Sequence, residues 1–494
     1  IIRAATKFRP VELTNLPKSP PVRDLRKVYG VTNTYPSSFD IYILLKNWCT
    51  SYRSTITGTT PKCDFMDNPS QPNPLPEKVV RRHAELLEEI LPDFSLLVIE
   101  EGRPADSILH AFLRNRRELG SRDRRFLAQA IFSYFRWYGW TVNKLQLPHS
   151  AACLLGAALD STEWAQSFQY LETRCNLPFP VECMGSLSAG EKRDKLNELL
   201  KDLPDFQPLE LSDLVLDDFA KVMDPEQVEH CISSFQQRPP TWIRCRNSAE
   251  ELTEVLATNG YPAGIHESIS NAVSLDPGIS LQHVLGDHSG QFVVQDLASQ
   301  CVGLVADPEK GGDCCAGAGG KALQLMDLME EGKVLCTDVR IPALKELKKR
   351  ARKYGIKNIR TQPFNAANDE PFTKVFDGVM VDAPCSGWGT WSRNPDARWR
   401  SSRRDVAQCA TRQLKILNNV KWCVKPGGVL IYAVCSITCP ETEEVVMNFL
   451  DQQEDFKLEP FTHPLTGEQT NGQLQIWPWE SPGDGMFIAR LRRK

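Results

Sequence analysis

Two apolar runs near the C-terminal end of the chain each lead to a cysteine, and they constrain the fold more than any other feature. One run is Val379-Met380-Val381, which continues through Asp382 to Cys385; the other is Val429 to Val434, which directly precedes Cys435. Runs rich in Val and Ile predict buried strands of a parallel sheet. Open α/β sheets bind ligands beyond the carboxyl ends of their strands, where both thiols are expected. Because a thiol there can add to an electrophilic carbon, the pair indicates a covalent reaction with a separate release step.

Core packing is the alternative for any cysteine, since free Cys is among the most buried residue types. We assign Cys301, Cys336, Cys409 and Cys423 to the core on this ground. Cys385 fits the core less well, because Asp, Pro and Gly surround it. For Cys435 the local sequence favours packing and function about equally.

A small-residue turn and a short strand predict a nucleoside site in the same half of the chain. The turn runs from Asp313 to Lys321 and leads into a helical pattern over 322–329. Its glycines let the backbone approach a ligand, and the helix start offers free N–H groups. The next strand ends at Asp338, whose carboxylate can hold a ribose diol. Since Ala322 follows Lys321, the turn is not a phosphate loop.

The turn alone is compatible with a dinucleotide or with S-adenosylmethionine, and the cysteines favour the second. Hydride transfer does not need a pair of thiols. Methyl transfer to C5 of a pyrimidine does, because that carbon becomes nucleophilic only after a thiolate has added to C6.

With these features together, roughly residues 240–494 resemble the RsmB/NOP (Sun/Fmu) family of RNA 5-methylcytosine methyltransferases. The matching stretches, in the family's order, are Gln295–Gln300, the glycine turn with Lys321, Asp338 with Arg340 and a basic helix, Asp382–Gly387, Arg393–Asp396 with Trp399, Lys425–Gly428, Tyr432–Ser436, Pro440–Glu444 and Gly483–Phe487.

The resemblance implies a role for each reacting group. Cys435 would attack C6 of the cytosine, and Asp382 beside the base would stabilise protonation at N3. The activated C5 would take the methyl group of S-adenosylmethionine. Cys385 would assist loss of the C5 proton or release of the enzyme by β-elimination.

The resemblance also implies the cofactor site. Asp338 would hold the ribose and Asn365 would lie near the adenine. The remaining lining residues would be Cys315, Ala316, Gly317, Ala318, Gly319, Gly320, Lys321 and Asp382. The chain departs from the family at three places: the family commonly has Ala-Pro at Gly317-Ala318, Asp at Asn365 and Thr at Val434.

Composition divides the 494-residue chain into four parts, which predict a multidomain α plus α/β protein. Residues 1–76 are a Pro-rich extension, expected to be poorly ordered or loosely docked. Residues 77–235 have helical periodicity, and Leu119–Phe126 resembles the NusB-like RNA-binding domain at the front of RsmB proteins. Residues 240–290 would form a small α/β subdomain. Residues 291–494 would form a Rossmann-like class I methyltransferase sheet.

Two clusters of arginine predict RNA contacts, although the net charge of −4 gives no overall nucleic-acid signature. The first cluster is Arg114, Arg116, Arg117, Arg122, Arg124 and Arg125. The second is Arg393, Arg398, Arg400, Arg403 and Arg404, which lie beside Trp391 and Trp399 after the Cys385 loop; Arg393, Arg398 and Arg400 are its predicted RNA contacts. Arginine and aromatic side chains next to a catalytic loop suit a single-stranded RNA path.

The remaining expectations concern metals, location and partners. The 16 cysteines include no Cys-x-x-Cys pair, so no metal site is predicted. We expect reduced thiols in a cytoplasmic, monomeric protein without a membrane segment. The substrate expected is RNA, and small-subunit ribosomal RNA because of the RsmB-like front domain. The alternatives are a tRNA substrate, a Rossmann-type oxidoreductase, or a non-catalytic RNA-binding and ribosome assembly factor with a degenerate methyltransferase core.

Overall fold

The computed structural model describes residues 75–494, apart from 163–164, 176, 178, 278, 280, 282–289, 308–311, 315, 318, 330, 373–375 and 481. The extension predicted for residues 1–76 therefore lies almost wholly outside the described residues. So do Cys315 and Ala318 of the predicted cofactor site.

The described residues between 77 and 235 fold into helices and turns. The helices are α1 (Glu77–Ile99), α2 (Ala105–Asn115), α3 (Ser121–Arg136), α4 (His149–Asp160), α5 (Gln166–Arg174), α6 (Ala189–Leu200) and α7 (Val228–Phe235). Helix α6 starts at a capping box, in which Ser188 and Glu191 satisfy each other's backbone N–H groups. The identification of this helical region as NusB-like stays a prediction.

The core of the helical region contains the apolar stripes read from the sequence. Leu87 and Leu91 of α1 and Leu127, Tyr134 and Phe135 of α3 are all fully buried. Aromatic side chains at helical spacing therefore form core here and leave the arginines between the stripes to the surface.

A small antiparallel sheet follows the helical region. Its strands are β1 (Thr241–Cys245), β2 (Ala263–Ile265), β3 (Ala272–Leu275) and β4 (Phe292–Val294), in the order β2-β3-β1-β4, with helix α8 (Ala249–Thr258) between β1 and β2. Because β4 pairs with β1, this subdomain extends past residue 290, where the sequence placed its end.

The largest sheet forms the C-terminal domain. Its strands are β5 (Gly312–Cys314), β6 (Val334–Asp338), β7 (Ile359–Pro363), β8 (Phe376–Asp382), β9 (Val424–Val434), β10 (Phe456–Leu458), β11 (Gln473–Ile476) and β12 (Met486–Arg493). The helices are α9 (Leu297–Ala306), α10 (Gly320–Leu328), α11 (Ile341–Lys353), α12 (Pro395–Trp399), α13 (Arg403–Val420) and α14 (Glu443–Gln452).

The order of the strands in this sheet predicts where a ligand binds. The strand order is β10-β12-β9-β8-β5-β6-β7, and β11 pairs with β12. Strands β5 to β9 run parallel, whereas β12 runs antiparallel to β9. The chain leaves β5 towards β6 and later returns to β8 on its other side. The crevice beyond the carboxyl ends at such a switch point is where doubly wound sheets bind ligands. The α/β class predicted for this half of the chain is confirmed.

The helical region and the sheet domain share one continuous core. Trp388 and Trp391, which follow Cys385, are fully buried and lie with ring centroids 5.6 Å from Phe219. Trp399 Nε1 donates to the carbonyl of Phe135 in α3 at 2.6 Å. The segment after Cys385 is therefore supported by the helical region. Among the described helices, none has the length and apolar content to cross a membrane.

Candidate active site

The two predicted thiols meet at the carboxyl edge of the sheet. The register pairs Asp382 at the end of β8 with Ala433 of β9, so Cys385 and Cys435 leave the sheet side by side. Their sulfur atoms are 3.2 Å apart, and both side chains are half-buried. Cys435 therefore lies at the cleft beside a second thiol and is not enclosed in the core.

The Cys385 thiol holds its proton tightly. The hydrogen bond to Cys435 and burial raise the pKa of the Cys385 thiol well above its ordinary value, and the charge of Glu441 adds to the effect. Cys385 therefore keeps its proton and can donate it to the sulfur of Cys435. Since the thiolate is the nucleophilic form of cysteine, Cys385 is poorly suited to attack a substrate.

One buried carboxylate joins the two cysteine loops. Glu441 Oε1 accepts hydrogen bonds from Ser386 N at 2.8 Å and Gln413 Nε2 at 3.0 Å. Glu441 Oε2 accepts from the hydroxyls of Ser386, of Ser436 at 2.8 Å and of Thr438 at 3.1 Å. Ser386 follows Cys385 and Ser436 follows Cys435, so Glu441 fixes both thiols. The sequence signal was only its place in the family-like stretch Pro440–Glu444, and no role was predicted from it.

Gly389 allows the closest approach behind the nucleophile. Its N–H donates to the carbonyl of Cys435 at 3.1 Å, and its own carbonyl accepts from Gly485 N at 2.8 Å. A Cβ at Gly389 would lie 2.2 Å from the carbonyl oxygen of Gly485 and 3.0 Å from that of Cys435. Any side chain there would push the Cys435 backbone out of place, since real Cβ contacts are never that short.

Asp382 lies beside the thiols at the end of β8. Its Oδ2 accepts a hydrogen bond from Lys321 Nζ at 2.8 Å, which also forms an ion pair. Lys321 belongs to the first turn of α10, so the glycine turn and the strand end are joined at this point. The sequence predicted Lys321 as a cofactor-lining residue, and the structure places its ammonium on the carboxylate predicted to face the base.

A cleft of about 710 Å³ contains the thiols and the predicted cofactor residues. It is lined by both cysteines, Asp382, Gly317, Asp338, Phe364 and Asn365, among others. Pockets of roughly 300–1,000 Å³ hold a small ligand with most of its surface buried. Cys409 also lines this cleft and is half-buried, so its assignment to the core was wrong; Cys301, Cys336 and Cys423 are buried as expected.

Asp338 has the position and hydrogen bonding expected of a ribose carboxylate. It ends β6 and accepts from Gly317 N at 2.9 Å and from Arg340 N at 2.8 Å. Arg340 Nε and Nη2 also donate to it at 3.0 and 2.9 Å. Burial alone would raise the pKa of Asp338, but these hydrogen bonds outweigh burial and lower it. A ribose diol would replace the Arg340 guanidinium, whose side chain is half exposed.

The glycine turn and Asn365 complete a site that fits S-adenosylmethionine. Gly317 and Gly319 have φ of +56° and +85°, which a residue with a Cβ rarely adopts. A Cβ on Gly319 would lie 2.6 Å from Leu347. Asn365 lines the cleft, with Oδ1 accepting from Ala367 N at 3.2 Å. A carboxylate, a bare backbone turn and the apolar Phe364 suit a ribose, the polar end of the cofactor and an adenine.

The first arginine cluster is divided by its contacts. Arg116 forms ion pairs with Glu89 and Glu118 at 3.5 and 3.6 Å, and Arg124 donates to backbone carbonyls of its own corner. The other four arginines are exposed and form no ion pair with any residue that the structure describes. They are Arg114, Arg117, Arg122 and Arg125. These four side chains are available to a polyanion.

The second arginine cluster is largely structural. Arg398 is fully buried and donates to the carbonyls of Leu214 and Phe235 at 2.8 and 3.2 Å, so the prediction that it contacts RNA is wrong. Arg400 pairs with Asp396 at 3.1 Å and is mostly buried. Arg393 is held by Asp296 at 2.6 Å and Asp484 at 3.2 Å. These arginines fasten the segment after Cys385 to its neighbours.

Taken together, the mostly parallel sheet, the glycine turn followed by Asp338, and the cleft at the switch point define a class I methyltransferase that uses S-adenosylmethionine. Comparison with known proteins agrees. Residues 306–492 match the family model described as 16S rRNA methyltransferase RsmB/F. This match and the relatives below confirm the predicted resemblance of the C-terminal half to the RsmB/NOP family of RNA methyltransferases.

Relatives and a solved structure extend the likeness beyond the matched domain. Ribosomal RNA small subunit methyltransferase B of Salmonella enteritidis PT4 (strain P125109) is 26% identical over 433 residues, 81% of this chain and 96% of the relative. The protein of the same name from Erwinia tasmaniensis is 31% identical over 278 residues, 54% of this chain and 63% of the relative. The crystal structure of PH0851 has a TM-score of 0.63 at 22% identity and covers 85% of this chain and 99% of its own, a likeness of fold.

Proposed function

We propose that this protein methylates C5 of a cytosine in RNA through a covalent bond between Cys435 and C6. The observation that carries the proposal is the pair of sulfur atoms 3.2 Å apart, in the cleft that also holds Asp382 and Asp338. The raised pKa of the Cys385 thiol leaves Cys435 as the better candidate for attack. A methyltransferase acting on a nucleophilic oxygen or nitrogen has no use for two facing thiols.

The first half of the reaction uses Cys435 and Asp382. The Cys435 thiolate forms the S–C6 bond, and Asp382 stabilises the proton that N3 gains as the ring loses aromaticity. The electron pair moved to C5 makes that carbon a nucleophile. S-adenosylmethionine, when bound against Asp338 and the glycine turn, supplies the electrophilic methyl group.

The second half uses Cys385, and the coupling of the two thiols sets the order. While Cys435 is free, its contact keeps the pKa of Cys385 high. Once Cys435 is a thioether it no longer carries a negative charge, so that part of the effect disappears and Cys385 ionises more readily. Cys385, once it has lost its own proton to solvent, can then take the C5 proton as the S–C6 bond breaks. N3 gives up its added proton, which restores the aromatic ring, and the electron pair of the broken bond returns to the Cys435 thiolate.

RNA binding is supported by the exposed arginines of the helical region. Arg114, Arg117, Arg122 and Arg125 provide positive charge for phosphates, which set position without reading sequence. The target base must leave its stack to reach the thiols, and this costs least in a loop or bulge. We propose small-subunit ribosomal RNA as the substrate, because the relatives that cover most of this chain carry that name.

Bisulfite sequencing of total RNA with and without the gene tests the proposal. The expected result is one cytosine of small-subunit ribosomal RNA that loses protection when the gene is absent and regains it with the wild-type gene but not with Cys435→Ala. If only tRNA lost methylation, the substrate would be tRNA and not ribosomal RNA. If no RNA lost methylation, a non-catalytic RNA-binding role would be favoured. Full methylation restored by Cys435→Ala would refute the covalent mechanism.

A further inference from the structure

A second cavity, of about 580 Å³, lies in the helical region away from the thiols. Its lining comes from α3, the end of α4, the first turn of α6 and the residues that follow α7. Two residues of that lining, Lys192 and Gln236, are deeply buried, and each has a polar atom that forms no hydrogen bond to the described part of the chain.

The first unsatisfied group is the ammonium of Lys192. The residue is only 5% exposed, and among the described residues its Nζ has neither an ion pair nor a hydrogen bond; it lies 5.0 Å from the centroid of the Trp137 ring. Burial lowers the pKa of Lys192, as expected for a charge removed from water. Buried charges are normally paired, so the position calls for an anion.

The carboxylates in the lining compensate the charge of Lys192 only in part. The charge of Asp160 opposes the effect of burial on the pKa of Lys192. The oxygens of Asp160, however, already accept hydrogen bonds from Ser133 Oγ at 2.7 Å, Trp137 Nε1 at 2.6 Å and Arg136 Nε at 3.2 Å. Glu191 is engaged at the rim by Ser188 N and Oγ at 2.8 and 2.7 Å. Arg238, exposed at the mouth, adds a second positive charge that no ion pair neutralises in the described part of the chain.

The second unsatisfied group is an acceptor. Gln236 is 4% exposed, and its Nε2 donates to the carbonyl of Ile232 at 3.2 Å. Its Oε1 accepts no hydrogen bond from any residue that the structure describes. That oxygen is also closed off from solvent, so the amide must turn towards the cavity to meet a ligand. One ligand would satisfy both groups if it carried an anionic group for Lys192 and Arg238 together with an N–H or O–H donor for Gln236.

We propose that this cavity binds one nucleotide of the substrate RNA. Its phosphate would contact Lys192 and Arg238, and an amino group of the base or a ribose hydroxyl would donate to Gln236 Oε1. The volume is suitable for one nucleotide. The phosphate-and-donor chemistry is shared by a free nucleotide, which the test separates from RNA.

RNA is favoured by the surroundings of the cavity. Helix α3, which contributes Gln129 and Ser133 to its wall, also carries the exposed Arg122 and Arg125 near its first turn. Arg136 of the same helix, bound to Asp160, donates to the carbonyl of Ser392 at 2.9 Å, in the segment that follows Cys385. A strand held at this cavity would lie on the structure that supports the catalytic loop. The choice of RNA rests on the proposed function.

The test uses the full chain and substitutions on helix α6. Lys192→Met keeps the length of the side chain over Trp137 and removes the charge. Lys195→Met, on the same helix, is the matched control, because Lys195 is exposed and pairs with Glu182 at 2.9 Å. Affinity for a fluorescein-labelled single-stranded RNA of mixed sequence is measured by anisotropy, and affinity for cytidine 5′-monophosphate by calorimetry.

We expect Lys192→Met to weaken RNA binding about tenfold, the value of one charge-assisted contact, and Lys195→Met to leave it unchanged. Lys192→Met should also raise the melting temperature without RNA, because an unpaired buried charge is gone. Arg238→Gln, at the exposed mouth, gives a second measurement if the first variant folds poorly. Loss of cytidine monophosphate binding with RNA binding intact would overturn RNA as the source, and no change in either would overturn the site. Since binding is measured without catalysis, these results do not depend on whether the RNA is methylated.

Discussion

Glu441→Gln tests whether the carboxylate shared by the two cysteine loops controls catalysis. Glutamine keeps the shape and retains a carbonyl oxygen for Ser386 N–H and Gln413 Nε2, which now donate to Oε1 at 2.8 and 3.0 Å. Its amide group would face the three hydroxyls on the other side, which can rotate to accept. The loops should therefore remain close to their present positions.

The size of the effect follows from the kinds of hydrogen bond. Bonds to a charged group contribute about 1.5–3 kcal/mol and neutral ones about 0.5–1.5 kcal/mol, while the glutamine no longer has a buried charge to desolvate. We expect a net loss of about 1–3 kcal/mol in the free energy of unfolding. Glu441→Ala should lose about 3–5 kcal/mol, because it leaves several buried donors without an acceptor.

The pH dependence of methylation separates an electrostatic effect from a structural one. The charge of Glu441 helps to raise the pKa of the Cys385 thiol, so removing it should lower that pKa. The rate of methyl transfer should rise with pH as Cys385 ionises, and in Glu441→Gln this rising limb of the pH–rate profile should move to lower pH. The rate is measured as transfer of a tritiated methyl group at saturating RNA. Glu443→Gln, exposed at the start of α14, is the control and should not shift the limb. An unshifted limb in Glu441→Gln, with stability reduced as expected, would refute the electrostatic part of the reasoning.

Three further predictions concern the thiols, the cofactor and RNA. Cys385→Ala should trap RNA as a conjugate visible on a denaturing gel, and both Cys435→Ala and the double variant should not; a conjugate in Cys435→Ala would make Cys385 the nucleophile. Asp338→Ala should weaken S-adenosylmethionine by about 1–3 kcal/mol in calorimetry, whereas Asp377→Ala, which only removes an exposed pair with Lys425, should not; equal affinities would take Asp338 out of the site. Arg122→Gln with Arg125→Gln should lower the salt dependence of RNA binding by about one unit of slope per lost phosphate contact, and an unchanged slope would exclude this corner from the RNA path.

The sequence predicted those parts of the site that depend on one strand and its end. Strands β8 and β9 were recognisable because a buried parallel strand appears in the sequence as a short apolar run. The glycine turn and Asp338 were recognisable because a helix, a strand and a carboxylate follow the turn in a fixed order. The proximity of the thiols followed from the fold class. The contact between Cys435 and Cys385 could not be read from either strand alone, since local sequence carries no information on which residue stands opposite.

Interactions between distant parts of the chain could not be predicted in this way. Glu441 matters because the loops after Cys385 and Cys435 converge on one carboxylate, and nothing in Pro440–Glu444 indicates that convergence. Arg398 looks the same in sequence whether it faces RNA or the carbonyls of Leu214 and Phe235. Cys409 was assigned to the core because free cysteine is usually buried, and the sequence does not show that its helix borders the cleft.

The correction of Arg398 changes how the helical region relates to catalysis. The segment after Cys385 is held from the helical side by Trp399 Nε1 on Phe135 and by Arg136 on Ser392, while Gly389 in the same segment donates to the carbonyl of Cys435. The backbone that positions Cys435 is thus continuous with the core of the helical region. Because packed cores transmit strain, RNA bound at the proposed arginine corner would contact the same rigid unit that fixes the distance between the two thiols.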